Sequence, residues 1–320
     1  MLKTYGSNRP KWNVAGVDYY VGVPSGAALA DPSTNAPAGC TFSSGSSQLA
    51  CSGSNIVVKG FDFSLNGGMK LYITGSNNVV SGNKFALAPN CSDPLVYFSI
   101  DAGATLTISQ NSFDGGGAAC INNSKFTFGA MIFSNRYNDS STLVLEYNYV
   151  YNTPQHVIEN YGAPTKAARL VMRYNVFNEV GYTGHPDGLQ LNGGKFDSSL
   201  IAFNTIYHTL NMPGAITSQP LHVESQLTSD VSNTEVSYNT VLAPGTCNGG
   251  VNYPAGCSAN VVIACKNDSG ANTNTGFKAY GNRVDWSGAI VALQNNGCTG
   301  TTWGSPAANI DLKTGSPLSP

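Results

Sequence analysis

Leu145-Glu146-Tyr147-Asn148-Tyr149-Val150, Met172-Arg173-Tyr174-Asn175-Val176-Phe177 and Ile201-Ala202-Phe203-Asn204-Thr205-Ile206 are three copies of one local pattern. An apolar residue stands three positions before an Asn, an aromatic directly before it, and another apolar residue two positions after it. The outer part of this setting returns at Asn83 (Val80, Phe85), Asn111 (Ile108, Phe113), Asn239 (Val236, Val241) and Asn282 (Ala279, Val284). An eighth copy, Val58-Lys59-Gly60-Phe61-Asp62-Phe63, puts Phe61 at the Asn position.

Alternating apolar positions on both sides of a polar bend predict two short strands with inward side chains at every second residue. A recurring Asn at the bend can bond its amide to the Asn of the next copy, which requires parallel strands stacked in register. The Asn-to-Asn intervals are 28, 37, 27, 29, 35 and 43 residues. A propeller blade needs about 40–45 residues, so the short intervals exclude it. Heptads and 3.6-residue apolar periods are missing, which excludes a helical solenoid. The expectation is an all-β chain, a single right-handed parallel β-helix solenoid of about eight or nine coils, roughly 40 Å long. Long intervals then carry loops inserted at one corner. Residues 1–50 read as an N-terminal cap, 51–298 as the β-helix and 299–320 as a C-terminal tail, since open β edges must be covered.

The chain has 320 residues, 11% charged, with a formal net charge of −2. That balance excludes a disordered polyelectrolyte and a nucleic-acid binder driven by phosphate contacts. No apolar run of about 18 residues exists, so no membrane partner is expected. The 36 Gly and 16 Pro favour turns and strands. Eight cysteines occur without a C-x-x-C pair, which argues against zinc. Pairing of neighbours (Cys40–Cys51, Cys91–Cys120, Cys247–Cys257, Cys265–Cys298) would close short loops and imply an oxidising, secreted or periplasmic setting. Buried free thiols are the alternative. The opening MLKTYGSNRPKWN shows no apolar stretch of a leader.

With this pattern the chain resembles the pectate-lyase-like superfamily of right-handed parallel β-helices over about residues 51–298. The resemblance implies polysaccharide lyases, glycoside hydrolases, uronate epimerases or phage tailspikes, and it specifies fold more than activity. The sequence departs from the polygalacturonase motifs: it has Asn204-Thr205-Ile206, Asn239-Thr240-Val241 and Gly184-His185-Pro186, and no Asp-Asp pair. His185-Pro186-Asp187 echoes the epimerase motif in a different order.

Loop length varies most before a second set of strands, which include HVIEN, DGLQLNG, PLHVESQ, VVIACKN and AIVALQN. Variable loops beside one sheet build the walls of a groove. With Ile158, Leu189, Leu191, Leu221, Val223, Ile263, Cys265, Val291 and Leu293 inward, one outward column reads Glu159, Gln190, Glu224, Ala264, Ala292. The next reads Tyr161, Asn192, Gln226, Lys266, Gln294. His222 lies beside them, the turn before Gly188 adds His185 and Asp187, and Arg136, Asp101 and Tyr97 extend the row upstream. A solvated sheet face explains the same polar residues without a ligand, and a slip in register would move both glutamates.

The expected activity is an extracellular lyase that cleaves an acidic polysaccharide by β-elimination. His185 or His222 would take the proton, with Asp187 holding His185. Gln190, Asn192, Gln226, Lys266, Arg136 and Tyr161 would bind substrate. A Ca²⁺ held by Glu159, Asp187 and Glu224 could supply positive charge. Alternatively, Glu159 and Glu224 form the acid–base pair of an inverting hydrolase without a metal. A third reading is a glycan-binding tailspike or adhesin without catalysis. The protein is expected to be a monomer, or a trimer if tailspike-like, with Tyr147, Tyr174, Phe203 and Tyr238 as a candidate contact stripe. Stacking at the bend explains that stripe equally well. Glu146 and Arg173 read as an ion pair on neighbouring strands.

Overall fold

The computed structural model describes residues 21–92, 94–120, 130–134, 137–153, 156–161, 163, 165–180, 188–192, 194–207, 221–225, 230–242, 259–267, 273–285 and 289–320. They are almost wholly β, with three long, chiefly parallel sheets. Among the described residues there is no α-helix, and no helix long and apolar enough to cross a membrane.

Sheet A has ten strands: Cys40–Ser43, Gln48–Ser52, Lys70–Gly75, Val96–Ile100, Ala130–Ser134, His156–Tyr161, Leu189–Asn192, Leu221–Ser225, Ala259–Asn267 and Ala289–Asn296. Sheet B has nine, from Val57–Lys59 and Asn78–Ser81 through Arg169–Arg173 to Thr302–Trp303. Sheet C also has nine, from Lys84–Ala86 through Tyr149–Thr153 to Asn309–Asp311 and Pro317–Leu318. The chain visits A, then B, then C, and returns to A one strand farther along, a path compatible with a β-helix. A small sheet D (Lys195–Asp197, Asp230–Ser232, Asn274–Thr275) lies between A and B in three late passages. Inward residues of the sheets, such as Leu71, Phe98, Ile108, Phe113, Met172 and Ile263, are fully buried and form one continuous core.

The B-to-C bend repeats with little variation. Each Asn of the series Asn83, Asn111, Asn148, Asn175, Asn204, Asn239, Asn282 donates its backbone N–H and one Nδ2–H to the Oδ1 of the next, at 2.8–3.2 Å. The second Nδ2–H goes to a backbone carbonyl one strand earlier, Val58 for Asn83 through Ala279 for Asn309, each at 2.9 Å. Both acceptor sites and both amide donors are thereby used, which is what a buried carboxamide requires. Phe61, at the head, contributes its N–H to Asn83 Oδ1 at 2.9 Å.

The residue before each Asn adopts a left-handed conformation: φ is 57° at Tyr147, 58° at Tyr174 and Phe203 and 54° at Tyr238. Such a φ costs a non-glycine residue about 1–2 kcal/mol. The saturated ladder holds the bend in place, and at this turn the aromatic rings stack with centroids 5.1, 5.1 and 5.3 Å apart. Gly281 ends the row because a Cβ there would meet the Tyr238 ring at 2.5 Å. The aromatic stripe is therefore a stack along one corner.

The ladder runs one step beyond the sequence pattern, to Asn309. Ala279 pairs with Trp303, yet Asn282 meets Asn309, so three extra residues (304–306) separate strand from Asn in the last turn. Residues 302–318 thus add strands to sheets B and C. At the other end the Cys40–Ser43/Gln48–Ser52 hairpin closes sheet A antiparallel, bridged by Cys40–Cys51. Cys91–Cys120 and Cys265–Cys298 are also bonded. Cys247 and Cys257 lie outside the described residues. Three disulfides indicate an oxidising, extracellular or periplasmic environment.

Candidate functional site on sheet A

Connections from sheet C into sheet A run from two residues (154–155) to sixteen (243–258), whereas the B-to-C bend keeps one geometry. At the end where these connections enter, the strands of sheet A are covered on both faces. Neighbours Val157 and Ile158, Met131 and Ile132, and Val262 and Ile263 are all buried at 3% exposure or less. On two strands the faces separate: Ile158 is buried and Glu159 partly exposed, and Phe98 is buried between half-exposed Tyr97 and Ser99, whereas Ile263, Ala264 and Cys265 are all buried.

The backbone register aligns one column across sheet A: Ala50, Tyr72, Tyr97, Phe133, Glu159, Gln190, His222, Ala264, Gln294. Of these, Ala50, Tyr72, Tyr97, Glu159 and Gln294 are partly exposed, and Ala264 is buried. Glu224 does not belong to it. His222 pairs with Gln190, and Glu224 stands two residues farther along its strand, opposite Lys266. Asn295 and Asn296, likewise, face Cys265 and Lys266, and Gln294 faces Ala264. In the expected column Glu224 stood two residues too far along its strand and Ala292 two residues short of Gln294, while Ala264 does stand in line with Gln190. A two-residue slip preserves the inward parity of Leu221 and Val223, so the apolar pattern did not report it.

This correction changes the chemistry on offer. Glu159 and His222 are two strands apart in one column, roughly 9–10 Å between backbones. Glu159 and Glu224 are separated by two strands and two residues, so their backbones are not aligned in one column. Asp187, third member of the expected Ca²⁺ set, lies outside the described residues, as do His185, Gln226 and Arg136. Glu159 and Glu224 are therefore the described members of that set, two strands and two residues apart by register, and no step below is routed through a metal. Gln190, Asn192, Tyr161, His222 and Glu224 are placed by strand and register. Tyr161 pairs with Asn192 in a second register row, which Glu224 and Lys266 share by their phase with His222 and Ala264.

Tyr72 and Phe133 were absent from the expected site. The rings of Tyr72 and Tyr97 stack at 5.2 Å between centroids with 23° between planes. Alternation in KLYITG was the signal available for Tyr72. Three residues stand elsewhere. His156 is buried, in keeping with its parity with Ile158. Val291, expected inward, is 37% exposed because its strand is the last of sheet A. Arg173 Nε donates to Glu146 Oε2 at 2.9 Å on sheet B, away from the groove.

No family model, curated protein or solved structure matches the chain.

Proposed function

We propose that this chain is an exported right-handed parallel β-helix of the pectate-lyase-like superfamily that cleaves an acidic polysaccharide by β-elimination on the outer face of sheet A. The observation that carries the reading is the column in which aromatic, carboxylate, amide and imidazole residues follow one another on successive strands, with Lys266 one strand and two residues from His222. Polar groups along a covered sheet edge suit a chain of sugar hydroxyls and carboxylates.

The chemistry follows from those positions. The Lys266 ammonium faces the uronate carboxylate and stabilises the charge that develops as the neighbouring carbon loses its proton. His222 takes that proton, histidine being the side chain whose ordinary ionisation falls near neutrality. The electron pair forms a carbon–carbon double bond, the glycosidic carbon–oxygen bond breaks, and the imidazolium returns the proton to the departing oxygen. Glu224, opposite Lys266, orients the ammonium. Glu159 and Gln190 bond the hydroxyls of the preceding units, and Asn192 and Tyr161 those alongside. His185 and Asp187 in the adjoining turn would border the same end.

Ultraviolet absorbance of the unsaturated product tests the reading on a panel of uronate polysaccharides. The expected result is a rising signal that persists in chelator and disappears in His222→Ala. New reducing ends without that absorbance would replace elimination by hydrolysis, and binding without either product would leave a glycan-binding protein.

A further inference from the structure

On the outer face of sheet B one register row is aliphatic for most of its length. Val57, Val79, Thr107, Val144, Val171 and Leu200 stand side by side on six successive strands. Their neighbours in the chain, Val58, Val80, Ile108, Leu145, Met172 and Ile201, are buried in the core, so this row points outward. Val57 is 51% exposed, Val79, Thr107, Val144 and Leu200 are partly exposed, and none of the six belongs to the continuous core. At about 4.8 Å per strand the row is roughly 24 Å long.

Polar rows border it. Two residues farther along the strands run Lys59, Ser81, Ser109, Glu146 and Arg173, and two residues before it stand Thr105, Thr142 and Arg169. An apolar centre with a polar rim is the anatomy of a protein contact. The Asn ladder at the adjoining corner favours a flat sheet, because side-chain ladders suppress the usual twist.

The charges at the middle of this face select the occupant. Glu146 and Arg173 are aligned on adjacent strands, with Arg173 Nε donating to Glu146 Oε2 at 2.9 Å. A two-fold axis parallel to these strands, midway between them, places Glu146 over the partner's Arg173 and Arg173 over the partner's Glu146. The same operation sets Val144 against the partner's Val171, and Thr107 against the partner's Leu200. Such self-complementarity is what an isologous contact requires. Facing sheets pack about 10 Å apart, a gap that glutamate and arginine together span. A two-fold axis along the stack of strands would instead oppose Arg173 to the partner's Arg169, two like charges.

We propose that this chain forms a reversible homodimer through the outer face of sheet B, two copies back to back with opposite strand order. Burial of the aliphatic row favours association, and the doubled Glu146–Arg173 pair sets its register. A face of about 40 by 15 Å offers roughly 600 Å² per copy, below the usual 800 Å², so the dissociation constant is expected at about 1–100 μM. Sheet A stays uncovered in both copies, and the proposal is independent of the lyase reading.

Sedimentation of the whole chain across that concentration range tests it. The parent is expected to shift from monomer to dimer. Glu146→Arg and Arg173→Glu, each alone, set like charges across the axis and are expected to weaken the dimer at least about tenfold. An equimolar mixture of the two variants pairs opposite charges again and is expected to dimerise within about threefold of the parent. A parent that stays monomeric or forms trimers overturns the proposal. So does a dimer indifferent to both charge reversals, or a mixture that fails to restore it.

Discussion

The B-to-C corner and the outer face of sheet A are built by the same passages of chain, yet they obey opposite rules. At the corner each position repeats its residue type: an Asn with every donor and acceptor used, preceded in four successive turns by a stacked aromatic. On sheet A the residue at one register position changes at almost every strand, from Tyr97 to Phe133 to Glu159 to Gln190 to His222 to Ala264. Repetition satisfies polar groups internally and leaves nothing for a ligand. Variation breaks that repeat, and the proposed chemistry is placed there.

The sharpest way to break this contrast is a substitution that hits one region and spares the other. His222→Ala is expected to lower product formation by about 10²–10⁴-fold, the usual range for a positioned acid–base group. Its unfolding midpoint should stay within about 0.5 kcal/mol of the parent, as for a substitution outside the core. A midpoint falling together with the rate would make His222 structural.

Asn175→Ala should do the reverse. It strands the Asn148 N–H and amide and the Leu145 carbonyl, all buried, at a cost of about 3–5 kcal/mol in denaturant unfolding. Asn35→Ala, at an exposed Asn that donates to the Asp31 carbonyl and Thr34 Oγ1, should cost under about 0.5 kcal/mol. Similar losses in both would mean that the ladder carries no special weight.

Next in size is the Cys265–Cys298 bridge, which joins residues 33 apart and ties a sheet A strand to the final turn. Replacing both cysteines by Ser should lower stability by about 3 kcal/mol, chiefly through the unfolded chain. Loss of the middle ring in Phe203→Ala removes two stacking contacts and should cost about 2 kcal/mol, read from thermal unfolding.

The smallest effect concerns acid. Partial burial pushes the Asp197 carboxyl up, but hydrogen bonds from Ser232, Ser198 and Asn233 outweigh it and hold the group below the ordinary carboxylate value. A carboxyl lowered in the folded state contributes stability above its unfolded pKa of about 4, and that contribution disappears as pH falls through the folded value. Much of the group faces solvent, so the gain is under about 1 kcal/mol after screening. Asp197→Asn should flatten the acid limb of a stability–pH curve below about pH 4, and an unchanged limb would assign acid sensitivity elsewhere.

Much of this contrast is legible before folding. The Asn setting, repeated seven times, predicts stacked parallel strands because only such strands let an amide meet its own copy. Neighbour pairing of cysteines anticipates three of the observed bridges. The ion pair of Glu146 with Arg173 follows from their shared place two residues before an Asn. Asn309 escaped the pattern because Asp311 stands where an apolar residue was expected and 304–306 lengthen the turn.

What the sequence determined by itself is local and periodic: which residues bend, which alternate, and which face of a strand is apolar. What only the tertiary structure decided is which residues of neighbouring strands stand side by side. Alternation has a period of two, so a pattern that turns Leu221 and Val223 inward allows either His222 or Glu224 beside Gln190. The choice is made by inter-strand backbone hydrogen bonds, after loops of very different length have closed, and those bonds carry no side-chain signature. They put His222 in line with Glu159 and Tyr97, and Glu224 opposite Lys266.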